Sequence, residues 1–193
     1  MNPSKSALHQ RLTRLRGSSV HRLAAANEGI AAVEFAMIAP VMIVLYFGVT
    51  EIADAYSANT KATAVASTAA DLIAQEKIVC DAEMDDAFLA LNAIMYPYPL
   101  NSMKIRISSL VDNGNGTVKV AWSDAENIAP RAVNSAVTIP DGLVTEGGSV
   151  IMSEVEYTYY SPAPYFFETA VPMTDTYYLH PRKAVQIERE TAC

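Results

Sequence analysis

Few side chains in this sequence can do chemistry. Histidine occurs at His9, His21 and His180, and cysteine at Cys80 and Cys193. A serine–histidine–aspartate set can be drawn around any lone histidine. The G-x-S-x-G turn that would present a serine nucleophile is missing, however, so no catalytic residue is assigned and an enzyme is not expected. "DNGNGT", residues 112–117, has the oxygen-rich look of a calcium loop. It lacks the bidentate glutamate that closes an EF-hand, and Asn-Gly pairs are ordinary hairpin-turn chemistry. The two cysteines lie far apart, with no C-x-x-C redox spacing and too few ligands for zinc. Neither a metal nor a cofactor is expected. One group is out of place: Glu34, inside "GIAAVEFAMIAPVMIVLYFGV", residues 29–49. An ionised side chain in hydrocarbon costs about 2.5–3.5 kcal/mol on insertion scales, which makes Glu34 a candidate functional residue.

The element that must position Glu34 is an apolar run close to the roughly 20 residues that cross a bilayer as a helix. It is longer than the apolar core of a secretory signal and ends without an A-x-A site. Pro40 removes one helical hydrogen bond and is expected to kink it. Charge divides the chain around this run. Residues 1–29 hold Lys5, Arg11, Arg14, Arg16 and Arg22 against Glu28, a net of +4, so the total of −7 leaves −11 for the remainder. Cations gather on the cytoplasmic side of a membrane span, which puts the acidic bulk on the other side. That acidity also excludes nucleic acid as a partner.

Beyond the run, residues 50–77 contain neither proline nor glycine and are rich in alanine, so one helix is expected from 30 to 77. Ile52, Tyr56, Ala62, Ala66, Ala69, Ala70 and Ile73 recur at three- and four-residue steps and define its apolar face. A second helix carries Met84, Phe88, Leu91 and Met95 at helical spacing and stops at Pro97. A hairpin follows. Ile105 and Ile107 alternate with Lys104 and Arg106, and Val118, Val120 and Trp122 alternate on the return strand, around two Asn-Gly pairs. "SVIMSEVEYTYY" alternates again, with Ile151, Val155, Tyr157 and Tyr159 on one face. Shorter strands are expected at 174–179 and 184–187, and a loop-rich stretch at 125–148. The aromatic residues Tyr157, Tyr159, Tyr160, Tyr165, Phe166, Phe167, Tyr177 and Tyr178 fit half-buried sheet better than an adhesive face. The expected fold class is α+β, a long N-terminal helix packed on a small antiparallel sheet. Four segments follow: 1–29, a basic cytoplasmic leader; 30–49, the transmembrane half of the helix; 50–79, its soluble amphipathic half; and 80–193, the α+β domain.

A basic leader, Gly29, and "IAAVEF" with its glutamate five residues past the glycine resemble the signal of a class III type IV prepilin. "EGIAAVEFAMIAPVMIVLYFGVTEIADAY" resembles the opening of the TadE-like family, pilin-like proteins of the tight-adherence (Tad/Flp) pilus of bacteria. "VIMSEVEYTYY" and "MTDTYYLHPRKAVQIE", with Pro181-Arg182, are similar to that family's closing strands. The major Flp pilin usually has tyrosine after the glutamate, where this chain has Phe35, and it is far shorter.

The resemblance implies a pilin-like fold and a minor pilin or pseudopilin in pilus assembly for surface adherence. It implies a prepilin peptidase cutting between Gly29 and Ile30, other pilins and Tad assembly proteins as partners, and single-pass anchorage in the inner membrane with the C-terminal domain periplasmic. The Ile30 amine so freed gives Glu34 a cationic partner on a neighbouring subunit. The alternatives are a hydrated Glu34 in an uncleaved envelope scaffold of the same system and, more remotely, a membrane-tethered periplasmic enzyme. In an oxidising periplasm Cys80 and Cys193 are expected to pair as a disulfide, against the alternative of two free thiols.

Overall fold

The computed structural model describes residues 28–112, 114, 117–161 and 170–193. The leader with His9 and His21, most of the turn at 113–116, and Tyr165, Phe166 and Phe167 lie outside the described residues.

The proline- and glycine-free stretch continues the apolar run as one helix, α1 (Glu28–Ala74), with Pro40 inside it. The expected end at 77 falls three residues late: the N–H groups of Gln75 and Glu76 turn to Leu72 and Ile73 in a tightened last turn, and the backbone N–H of Arg182 satisfies the carbonyl of Ala74. The chain divides into two compact units, Met1–Gly48 and Val49–Cys193, so the later part of α1 shares a unit with everything that follows.

The order after α1 is β1 (Ile78–Val79), α2 (Asp81–Met95), a 3-10 turn (Leu100–Ser102), β2 (Met103–Asp112), β3 (Val118–Glu126), β4 (Ser149–Tyr159), β5 (Val171–Leu179) and β6 (Glu188–Arg189). At the start of α2 the Glu83 carboxylate accepts the backbone N–H of Cys80 at 3.2 Å, satisfying one otherwise unpaired donor. Strands β2 to β5 form an antiparallel sheet in the order β3-β2-β4-β5. Period-2 alternation puts Met103, Ile105, Ile107, Ile151, Val155, Tyr157 and Tyr159 on one face, buried against the two helices. From α1 come Ala58, Ala62, Val65, Ala66, Ala69, Ala70 and Ile73, and from α2 Met84, Leu91 and Met95. Alanine side chains let α1 come close to the sheet. The larger side chains, at about 1.5–3 kcal/mol for each one fully buried, supply most of the driving force.

Three expectations are corrected. Ile52 and Tyr56 are exposed and off the buried face, which runs through Glu51, Ala55, Ala58 and Ala62. Each lies one residue, about 100° of helical turn, past a member of that face. Val118 and Val120 do not share a face with Trp122. The pairing of Ser109 with Trp122 is followed by Leu110 with Val120, so Ala121 is an inserted residue and the alternation reverses there. Val118 and Val120 therefore join Leu110, Val150 and Met152 in a second cluster, against Val137, Ile139 and Val144 of the following loop. Finally, the strand expected at 184–187 is found at Glu188–Arg189, outside the main sheet and parallel to β1. The N–H groups of Glu188 and Glu190 donate to the carbonyls of Lys77 and Val79, which sets that register.

Candidate functional site

Gly29 opens the apolar half of α1. Among the described residues a Cβ there would meet nothing within 4 Å, and its φ is not in the left-handed region, so neither the described packing nor the backbone geometry demands a glycine. Within a helix glycine costs about 1 kcal/mol relative to alanine, so the position is locally easy to unwind. Ile30, Phe35, Met37, Val41, Leu45 and Phe47 are all exposed. Glu34 is exposed too and, among the described residues, has no hydrogen-bond or ion-pair partner. The helix is long and apolar enough to cross a membrane, and among the described residues nothing buries its most apolar stretch.

In the second unit the structure joins Cys80 to Cys193, with Cα atoms 5.6 Å apart. The disulfide is one of several ties holding the last twelve residues. Trp122 Nε1 donates to the Ile187 carbonyl at 2.7 Å, and Ile187 is fully buried. Arg189 pairs with Asp124 at 2.8 Å and Asp81 at 2.6 Å. Hydrogen bonding to Asp124 and then to Asp81 raises the guanidinium pKa further. Arg182, of the Pro-Arg pair noted in the sequence, forms an ion pair with Asp71 on the last turns of α1.

Asp54 was not singled out by sequence, yet it is the centre of the other end of this unit. The Tyr98 hydroxyl donates to Asp54 Oδ1 at 2.8 Å and lies 3.0 Å from its backbone oxygen, while the Tyr159 hydroxyl donates to Oδ2 at 2.7 Å. The rings of Tyr98 and Tyr159 meet edge-on with centroids 6.3 Å apart. Burial, then the hydrogen bond to Asp54, pushes the Tyr98 phenol up to about 12, and the same causes raise Tyr159. The helix, the loop after α2 and the end of β4 are thereby joined at one carboxylate. Nearby, Lys61 Nζ donates to the carbonyl of Ile94 at 2.9 Å, where a cation favours the C-terminal end of α2. On the other face of the sheet, Glu154 accepts from Arg131 at 2.7 Å and from Arg106 at 3.2 Å. Burial opposes ionisation of Glu154, but these two guanidiniums outweigh it and its pKa is lowered.

The weaker candidates have structural roles. His180 Nδ1 lies 3.2 Å from the Ser149 carbonyl, a position from which the ring can donate to backbone. Asp112, the first residue of the calcium-like stretch, accepts the N–H of Gly114 at 2.9 Å within the turn, where Gly114 has a φ of +84°. Tyr157 and Tyr159 are buried in the sheet, whereas Tyr160 and Tyr177 are exposed.

Residues 29–71 match the family model described as TadE-like protein. The match begins at Gly29, covers the described helix almost to its end, and stops short of the sheet. It bears out the resemblance carried by the opening residues and, at family level, supports a pilus-associated protein. No curated protein and no solved structure matches the chain.

Proposed function

We propose that the chain is a TadE-like minor pilin or pseudopilin that takes part in assembling a Tad/Flp-type pilus for surface adherence. A prepilin peptidase cuts between Gly29 and Ile30, removing the basic leader. The remaining helix anchors the protein in the inner membrane, with the domain from Val49 onward in the periplasm. Its role is structural rather than enzymatic, and its partners are the peptidase, other pilins and Tad assembly proteins. Glu34 then neutralises the Ile30 amine of an adjacent subunit and fixes the register between helices, as a buried polar group does in a coiled coil.

The observation that carries this reading is the family match starting at Gly29, a glycine that nothing among the described residues requires. The Cys80–Cys193 disulfide supports an oxidising compartment for the domain. The test is Glu34→Ala. The variant should insert into the membrane at least as well as the native protein, since a costly carboxylate is gone, and yet fail to support pilus assembly. Normal piliation by that variant would contradict the pairing.

A further inference from the structure

At the end of the second unit where the chain enters at Val49, large apolar side chains stand in the open. Ile52 is 61 % exposed and Tyr56 73 %, Tyr96 just after α2 79 %, Leu100 39 %, and Tyr160 just after β4 62 %. Their shared location follows from contacts already described. Tyr98 and Tyr159 both reach Asp54, which lies two residues from Ile52 and two from Tyr56, while Tyr96 and Tyr160 are close chain neighbours of those tyrosines. The opposite end of β4 lies with the far end of α1. There Ile151 pairs with Leu179, three residues before the Arg182 that binds Ala74. The exposed aromatics are thus gathered at the end of the unit from which the apolar run departs.

Distance along α1 gives this grouping a meaning. At 1.5 Å per residue, Ile52 lies about 4–5 Å and Tyr56 about 10 Å past Val49, and helical side chains lean toward the N-terminus, which carries the Tyr56 ring back toward the span. The headgroup layer of a bilayer leaflet is roughly 5–8 Å thick beyond the hydrocarbon. Tyrosine suits that depth, with an apolar ring and a hydroxyl that stays wet. A grouped exposure of this kind on a soluble unit marks a surface of interaction.

We propose that Ile52, Tyr56, Tyr96, Leu100 and Tyr160 form a collar that rests in the lipid headgroup layer. The inference depends on residues 30–49 spanning the membrane. Lipid is the favoured occupant because Ile52 and Tyr56 follow Val49 by only three and seven residues on the same helix, which keeps this end of the unit close to the end of the span in every copy. The contact is apolar and aromatic rather than ionic. Among the described residues, the cations at this end are both engaged, Lys61 by the Ile94 carbonyl at 2.9 Å and Lys104 by Glu156 at 3.2 Å, and the Asp54 carboxylate is taken by two tyrosines. Zwitterionic lipid and high salt should therefore leave the contact intact, unlike a polybasic surface.

The experiment uses the full chain in phosphatidylcholine nanodiscs, one copy per disc, with Tyr160→Trp, Tyr96→Trp and, as a marker of the span, Leu45→Trp. Native Trp122, buried in the sheet, gives a constant background to subtract. The indoles added at 96 and 160 should be shielded from acrylamide and quenched more by headgroup-labelled than by chain-labelled lipid. The one added at 45 should respond mainly to chain label. If position 45 is shielded but 96 and 160 are open to acrylamide, the collar is wrong and the span stands. If position 45 is itself open to acrylamide, span and collar fall together. Shielding of 96 and 160 that appears only with several copies per disc would assign the surface to a second protein chain and overturn the lipid contact.

Discussion

Residues 29–49 and 50–74 belong to one helix, yet Phe35, Met37 and Leu45 in the first stretch stand exposed while Ala58, Ala62, Ala66 and Ala70 in the second are buried. Hydrophobicity of the residue does not set this contrast, since the larger apolar side chains are the exposed ones. What differs is supply. The second stretch has a sheet and a second helix to pack on, and alanine is the residue that permits close approach. Among the described residues the first has no such neighbours, and its Glu34 has no partner. An uncovered apolar stretch of this length is one that could cross a membrane.

The largest expected effect sharpens that contrast directly. Trp122→Ala removes a buried ring and its bond to Ile187, and should cost about 3–5 kcal/mol in thermal unfolding followed by circular dichroism. Phe35→Ala, in the exposed stretch, should leave the same transition where it was. Comparable losses from the two would break the division.

Next comes the terminal tie. Cys80 and Cys193 are 113 residues apart, so the bond closes most of the second unit into a loop. Cys80→Ser, or reduction, should cost about 2–5 kcal/mol in denaturant unfolding. Membrane insertion of the apolar stretch should be indifferent to it. An unchanged midpoint would mean that the hydrogen bonds and ion pairs of Arg182 and Arg189 hold the terminal segment without help.

A smaller effect is expected where the exposed stretch gives way to the buried one. Asp54→Ala deprives two tyrosine hydroxyls of a charged acceptor and should cost about 2–3 kcal/mol. The pH dependence has a definite sign. The raised pKa of Tyr98 means that the folded state favours the neutral phenol. Its contribution is fully present below the ordinary tyrosine value near 10 and is lost as pH rises toward about 12. Tyr98→Phe should flatten the fall in melting temperature over that window. An unaltered alkaline profile would remove the phenol from the account.

Much of this architecture was legible in the sequence. Met84, Leu91 and Met95 share a face of α2 because periodicity reports burial when a helix packs on one side. Glu34 stood out because a carboxylate in an apolar run is costly, and the cysteines paired as an oxidising compartment suggests. Three features were hidden for identifiable reasons. Alternation cannot reveal Ala121, since an inserted residue leaves the residue types unchanged while reversing the side on which Val120 lies relative to Trp122. Asp54 gave no local signal, because its partners lie 44 and 105 residues away. The last strand was misplaced because its register is set by backbone bonds to Lys77 and Val79, more than a hundred residues earlier, rather than by its own side chains.

The central claim is that the exposed half of α1 is a membrane-embedded helix whose first residue in the mature protein is Ile30. Intact-mass spectrometry of the protein purified from envelopes of cells that possess the peptidase tests it most directly. The chain is expected to begin at Ile30, with Gly29→Leu accumulating as the uncut precursor in the same membrane fraction. Native protein that still begins at Met1 in those cells would contradict it.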